Sequence, residues 1–245
     1  AIVATTADVR VKILEKIHKS YSVDYCILEK LLAQSIDDLD NLKKTVVNFN
    51  KTWVNNCMRI MKWHLKMKDI IFTKNKRSIK VILKGKGWGM ACNAIHYIDL
   101  ISWWTDSKII SIDSGQINNW QSSKRIGFQE CFGKIKVFLE KGNYLELNCA
   151  NGESDLIMSI ETPKGNWEVN ESSGITLDTN LQKITGGLEY QSDITCPLFE
   201  KIINTGNCGL TTFEESYFEH QLLLKSLLKS WNIFNKSNDI IIPIT

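Results

Sequence analysis

The chain predicts an α/β portion followed by an α+β portion. The first is a parallel sheet with crossover helices. The second is a mostly antiparallel sheet with helices on one face. Two observations carry this. Strand-like and helix-like runs alternate over the first fifty residues, which signals parallel pairing. From Lys108 to about Thr195 a two-residue alternation takes over, in KIISIDS, KIKVFLE, YLELNCA, LIMSIET and NWEVNES. That period belongs to half-buried antiparallel strands.

The elements follow in order. Ala1–Ala4 reads as a buried strand, and Asp8 opens a helix to Lys19 with Val9, Ile13 and Ile17 inward. Tyr25–Leu28 is a second strand ending at Glu29-Lys30. Asp37–Lys44 is helical, and Thr45–Asn50 reads as a third strand, with the domain break near Asn50. This gives a domain at 1–50 and another at 51–245. Trp53–Met67 reads as an amphipathic helix and Ile79–Leu83 as a strand. Lys141-Gly142-Asn143 makes a hairpin turn. Pro197–Asn204 is a short helix. Thr212–Trp231 is a long one, with Thr212 as N-cap and Glu215 three residues on forming a capping box. The chain opens inside an apolar run, so a preceding segment is expected.

Bulk composition narrows the function. With 43% hydrophobic and 23% charged residues, the 245-residue chain is an ordinary globular protein. A net charge of +3 names no polyanionic partner. No run of about eighteen apolar residues suggests a membrane span, and the first residues lack a signal-peptide layout. Seven cysteines without metal spacing read as free thiols of a reducing cytoplasm. Between residues 59 and 86, ten Lys or Arg (Arg59, Lys62, Lys66, Lys68, Lys74, Lys76, Arg77, Lys80, Lys84, Lys86) face one acid, Asp69. A solvated helix face explains most of them. Aromatic interleaving is sparse, so nucleic acid is not expected.

Gly89–Trp104, GMACNAIHYIDLISWW, is the most telling stretch. It reads as a helix apolar nearly all round, hence buried. Cys92, His96 and Asp99 share one of its faces. Gly85, Gly87 and Gly89 before it allow close backbone approach. Together these suggest a pocket wall. His96 is the leading candidate for proton transfer, with Asp99 fixing its tautomer; the plain alternative is a satisfied core histidine. His18, His64 and His220 read as members of solvated helices. Cys92 is either a small buried hydrophobe or a nucleophile activated by His96. Glu29-Lys30 and Ala4-Thr5-Thr6 end neighbouring parallel strands at the edge where ligands bind in open α/β sheets. The plain alternatives are a solvated lysine and a tight turn.

Taken in order, IVATTADVR, ILEKLLAQS, VVNFN, CNAIHYIDL, LEYQSDIT, TTFEESYFEHQLLLKSL and IPIT resemble the Gfo/Idh/MocA family of NAD(P)-dependent oxidoreductases. The resemblance spans essentially the whole chain. It implies the C-terminal portion of a Rossmann-like sheet, NAD or NADP as cofactor, a sugar-like or cyclitol substrate and a homo-oligomer. Lys30 matches the family's catalytic lysine and His96 its acid/base histidine. Ala4, Thr5, Thr6, Glu29 and Lys30 are the implied cofactor contacts. Trp88, Cys92, Asn93 and Asp99 are the implied substrate contacts, and no metal is expected. Three departures stand out. Leu31 replaces the proline after the lysine, Cys92 replaces the aspartate four residues before the histidine, and Ala94 replaces a glycine. The family's opening strand, GxGxxG turn and helix have no counterpart here. The chain is therefore expected to begin at the fourth Rossmann strand and to bind dinucleotide poorly as it stands. It reads as a fragment of a hydride-transferring enzyme, or alternatively as a non-catalytic truncated homologue acting as a binding or assembly module.

Overall fold

The computed structural model describes residues 1–72 and 78–245. Two sheets organise the chain. The first contains β1 (Ile2–Val3), β2 (Tyr25–Leu28) and β3 (Lys51–Val54), all parallel. The crossovers are α1 (Ala7–Ser20) and α2 (Ile36–Val46). Ser35 caps α2 by accepting from the Asp38 amide at 3.0 Å.

Four expectations are corrected here. Val46 and Phe49 are buried at the end of α2, continuing the helical spacing of Leu39 and Leu42, so VVNFN is not a strand. The third strand starts at Lys51, and the break expected at Asn50 therefore falls inside the first sheet. Trp53 and Val54 are strand residues, opposite Ile27 and Leu28. A 3₁₀ turn at Cys57–Ile60 and the short helix α3 (Lys62–Met67) replace the long helix expected from Trp53. The inner face of α1 is also rotated. Ala7, Arg10 and Leu14 are buried, whereas Val9 is exposed. Lys74, Lys76 and Arg77 of the basic run lie outside the described residues.

The second sheet has eight strands. β4 (Lys80–Lys86) leads into α4 (Met90–Thr105), then β5 (Ile109–Ser122) and β6 (Gln129–Leu139). A tight turn with Lys141 at φ 61° joins β6 to β7 (Tyr144–Ala150), as the hairpin reading expects. β8 (Ser154–Thr162), β9 (Gly165–Asn170), β10 (Ile175–Asp178) and β11 (Lys183–Thr185) complete the order β11-β10-β9-β8-β4-β7-β6-β5. β4 is central, parallel to β7 and antiparallel to β8; every other pairing is antiparallel.

α5 (Gln191–Thr205) begins well before Pro197 and covers Ile27 and Trp53 of the first sheet. β12 (Thr211–Thr212) returns antiparallel to β3, and α6 (Phe213–Asn235) follows from the Thr212–Glu215 capping box. α4 and α6 pack together, α4 against β6 and β7 and α6 against β5. The parallel sheet and the helix-covered face of the large sheet share one apolar core. Among the described residues no helix is long and apolar enough to cross a membrane, and no group of His, Cys, Asp or Glu could hold a metal ion.

Candidate functional site

The site forms where the C-terminal ends of β1 and β2 meet the N-terminal end of α4. The register places Val3 beside Leu28, so Ala4 and Glu29 leave the sheet side by side. The Glu29 amide donates to the Val3 carbonyl at 3.1 Å, and the Glu29 carboxylate accepts from Asn55 Nδ2 at 2.8 Å. Next comes Lys30, joined to Leu31 by a cis peptide bond. Its Nζ donates to Cys92 O at 3.2 Å, Cys92 Sγ at 2.9 Å and Asn93 Oδ1 at 3.2 Å. The ammonium thus bridges the two sheets' elements.

Arg10 holds this junction from below. It is fully buried and donates to the carbonyls of Thr5 and Leu31. Desolvation lowers its pKa to about 10, and Glu29 and Asp8 oppose that shift. It therefore remains a cation at neutral pH, fixing both strand ends from one side chain.

The α4 end is built from glycine and a carboxylate. Gly89 lies at φ 75°, and a Cβ there would meet Asn93 Nδ2 at 3.0 Å and Glu130 Oε2 at 3.4 Å. Glu130, on β6, accepts from the Ala91 and Cys131 amides. It takes an amide that the helix itself leaves unpaired, and burial pushes its pKa up. Asn93 Nδ2 donates to the Trp88 carbonyl at 2.8 Å, and the Trp88 indole donates to Asn148 O at 2.9 Å. Trp88, Cys92, Asn93 and Glu130 line a cavity of about 550 Å³, with Lys124 and Arg125 at its rim. That volume suits a small polar ligand.

His96 lies one turn beyond Cys92 on α4 and is partly exposed. Burial of its ring, with repulsion from Lys30 and His220, lowers its pKa to about 3. The imidazole is neutral at physiological pH. Its Nδ1 is buried and has no partner in the protein.

Asp99 does not fix His96. Its Oδ2 accepts from Arg59 Nε at 2.8 Å and its Oδ1 from Thr211 Oγ1 at 2.6 Å. It is fully buried, with the buried carboxyl of Glu219 nearby. The helical spacing is as expected, but the next turn faces α6 and β12 rather than the cavity. Asp99 is therefore a structural anchor. His64 and His220 are fully buried, not solvated.

Lys30, Cys92, Asn93 and Trp88 thus come together, with His96 beside them and Ala4, Thr5, Thr6 and Glu29 along the sheet edge. Sequence reasoning missed Arg10, Asn55, Glu130 and His220. Arg10 carried a signal, since the 7, 10, 14 spacing of α1 is as regular as the 9, 13, 17 spacing. Glu130 and Asn55 carried none, because only long-range packing brings them here.

No family model matches the chain, and no curated protein matches its sequence. Solved structures match its shape. The transcriptional regulator Gal80p from Kluyveromyces lactis superposes with a TM-score of 0.70 at 16% identity, covering 98% of this chain and 73% of that one. UDP-N-acetylglucosamine 3-dehydrogenase GnnA from Acidithiobacillus ferrooxidans gives 0.68 at 11%, covering 92% and 76%. The dehydrogenase MviM from Clostridium difficile gives 0.63 at 12%, covering 94% and 78%. The chain has the Gfo/Idh/MocA fold. At these identities the likeness is one of fold, and this fold is shared by dehydrogenases and by a regulator.

Proposed function

We propose that this chain carries the substrate side of an NAD(P)-dependent oxidoreductase acting on an alcohol carbon of a sugar-like or cyclitol substrate. The observation that supports this reading is that Lys30, at a parallel-sheet edge, reaches Cys92 and Asn93, which line a polar cavity, one helical turn from His96. The residues of that edge suit the nicotinamide end of a dinucleotide. Ala4 is small and exposed, and Thr5 Oγ1 is buried with no partner in the protein. Ala4, Thr5, Thr6 and Glu29 would hold it, with Lys30 between it and the substrate. When bound, the dinucleotide supplies the hydride acceptor or donor.

The chain's own residues then have separable roles. Lys30 donates to the reacting oxygen, giving up one of its three acceptors on α4 to do so. Its charge favours the alkoxide-like character that develops there. His96, neutral at pH 7, takes or returns the hydroxyl proton. Trp88, Asn93 and Glu130 shape and orient the cavity.

The test is NAD(P)H-dependent turnover across a panel of sugars and cyclitols, with dinucleotide affinity measured by calorimetry. Lys30→Ala and His96→Ala are each expected to lower kcat by about 10²-fold or more. Undiminished turnover in both variants would overturn the assignment. A second reading, a non-catalytic binding or assembly module, is favoured by the saturation of Lys30 by Cys92 and Asn93. Micromolar dinucleotide binding together with turnover would exclude it.

A further inference from the structure

We propose that Cys92 is an oxidation site paired with Lys30. A hydroperoxide converts the thiol to a sulfenic acid, and the Lys30 amine captures that acid as a reversible sulfur–nitrogen link. The link needs no oxidoreductase activity. Only its effect on turnover rests on the function proposed above.

The geometry begins with one contact. Lys30 Nζ lies 2.9 Å from Cys92 Sγ. Cys92 O and Asn93 Oδ1 accept from the same nitrogen, each at 3.2 Å. Three acceptors on the first turn of α4 therefore keep the nitrogen over the sulfur. Cys92 is half-buried and lines the cavity of about 550 Å³, which gives a small oxidant a way in. The other cysteines are placed differently. Cys26, Cys57, Cys131, Cys149 and Cys208 are buried, and desolvation raises the pKa of each. A thiol in that state is inert. Cys196 is exposed on α5, outside the cavity wall. Among the described residues no second cysteine lines this cavity. A sulfenic acid formed at Cys92 thus has an amine in contact and no thiol in the wall beside it.

The chemistry balances with one equivalent of hydrogen peroxide. Cys92 Sγ attacks one peroxide oxygen and the O–O bond breaks. The sulfur gives up an electron pair, and the second oxygen leaves as water with the thiol proton. The Lys30 ammonium then passes one proton to the sulfenic hydroxyl and releases another to solvent. Its nitrogen bonds to sulfur as the S–O bond breaks and a second water departs. Sulfenic acids undergo this condensation with backbone nitrogen, and here a side-chain nitrogen is already in contact. A small thiol reverses it by attacking the linked sulfur, which frees the lysine. A second thiol then restores Cys92. Without the amine, further peroxide carries a sulfenic acid to the sulfinic and sulfonic stages, which do not return. The linked nitrogen loses its ammonium charge, so Lys30 can no longer stabilise a developing oxyanion. The residue that replaces the family's aspartate would then make the site sensitive to peroxide.

The experiment is peptide mapping by mass spectrometry of the full, folded chain after treatment with hydrogen peroxide, with remaining free thiols alkylated. The expected product joins the peptides of Lys30 and Cys92, is lighter than the reduced pair by one H₂, and blocks tryptic cleavage after Lys30. Dithiothreitol should return both peptides to their reduced masses. In Lys30→Arg the link is expected to be lost and Cys92 to reach the sulfinic and sulfonic stages. Cys92 that goes to those stages in the unsubstituted chain, stays unmodified or forms a disulfide overturns the proposal. So does a link that retains an oxygen or resists dithiothreitol. If Lys30→Arg does not fold, the map of the unsubstituted chain decides. The link forming in a chain without oxidoreductase activity would support the proposal and count against the function reading alone. Turnover that survives peroxide with no link formed would do the reverse.

Discussion

His64 lies buried between two indoles. Its ring centroid is 5.7 Å from that of Trp63 and 5.5 Å from that of Trp104. Neither ring nitrogen has a protein partner, and burial lowers its pKa from 6.5 to about 3. The folded state therefore binds this proton less readily than the unfolded chain. The neutral ring's contribution is intact above pH 6.5 and is lost as the pH falls toward 3, at up to about 1.4 kcal/mol per pH unit. His64→Phe removes that dependence. In guanidinium unfolding at pH 7 and pH 5, the stability difference between variant and parent is expected to move in the variant's favour by about 2 kcal/mol. An unchanged difference would show the ring to be hydrated. At this scale the sequence was a partial guide. Lys30, Cys92 and His96 stand out by residue type at a strand end or on an apolar helix. His64 and His220 read as surface residues in sequence and are buried, because local spacing says nothing of what packs over them.

At the scale of elements, α4 depends on its first turn. Gly89 has a backbone conformation that disfavours a side chain, and Glu130 takes the Ala91 amide. Gly89→Ala is expected to cost about 1–2 kcal/mol from backbone conformation alone. In a thermal melt that corresponds to a fall of roughly 2–8 °C for a chain of this size. It should also loosen the Asn93 contact with Lys30, so a full-strength melt would contradict the role given to this glycine. α4 and α6 were readable because their signals are local: an unbroken apolar run and a capping box. β3 was displaced because Thr45–Asn50 is β-branched and apolar while also continuing the 3–4 spacing of α2. Helical burial of Val46 decided between the two. Trp53 satisfies both a helical and a strand pattern, and its pairing opposite Ile27 is not visible in local sequence.

For the whole molecule, the expected break near Asn50 is not a seam. β3 starts just beyond it, and β12 and α6 come back from the far end of the chain to close the same sheet. Residues 1–50 alone keep two short strands and two helices with their inner faces uncovered. Isolated pieces of that kind are not expected to hold. A peptide of residues 1–50 should give collapsed amide dispersion by NMR, and adding residues 51–245 should restore it. A dispersed spectrum from the peptide alone would contradict this. The architecture, a parallel sheet followed by an antiparallel one, was legible from periodicity. The interleaving was not, because it depends on contacts between residues far apart in sequence.

The central place of β4 also has a consequence in time. The chain makes Lys80–Lys86 more than sixty residues before its partners Tyr144–Ala150 and Ser154–Thr162 exist. During synthesis, then, the middle strand of the large sheet waits unpaired with Val81 and Leu83 bare. The β5–β6 hairpin has its own partner close at hand and can form first. The strand that leads into Gly87, Trp88 and Gly89 is among the last to be seated, so the candidate site is completed only when the sheet around it is.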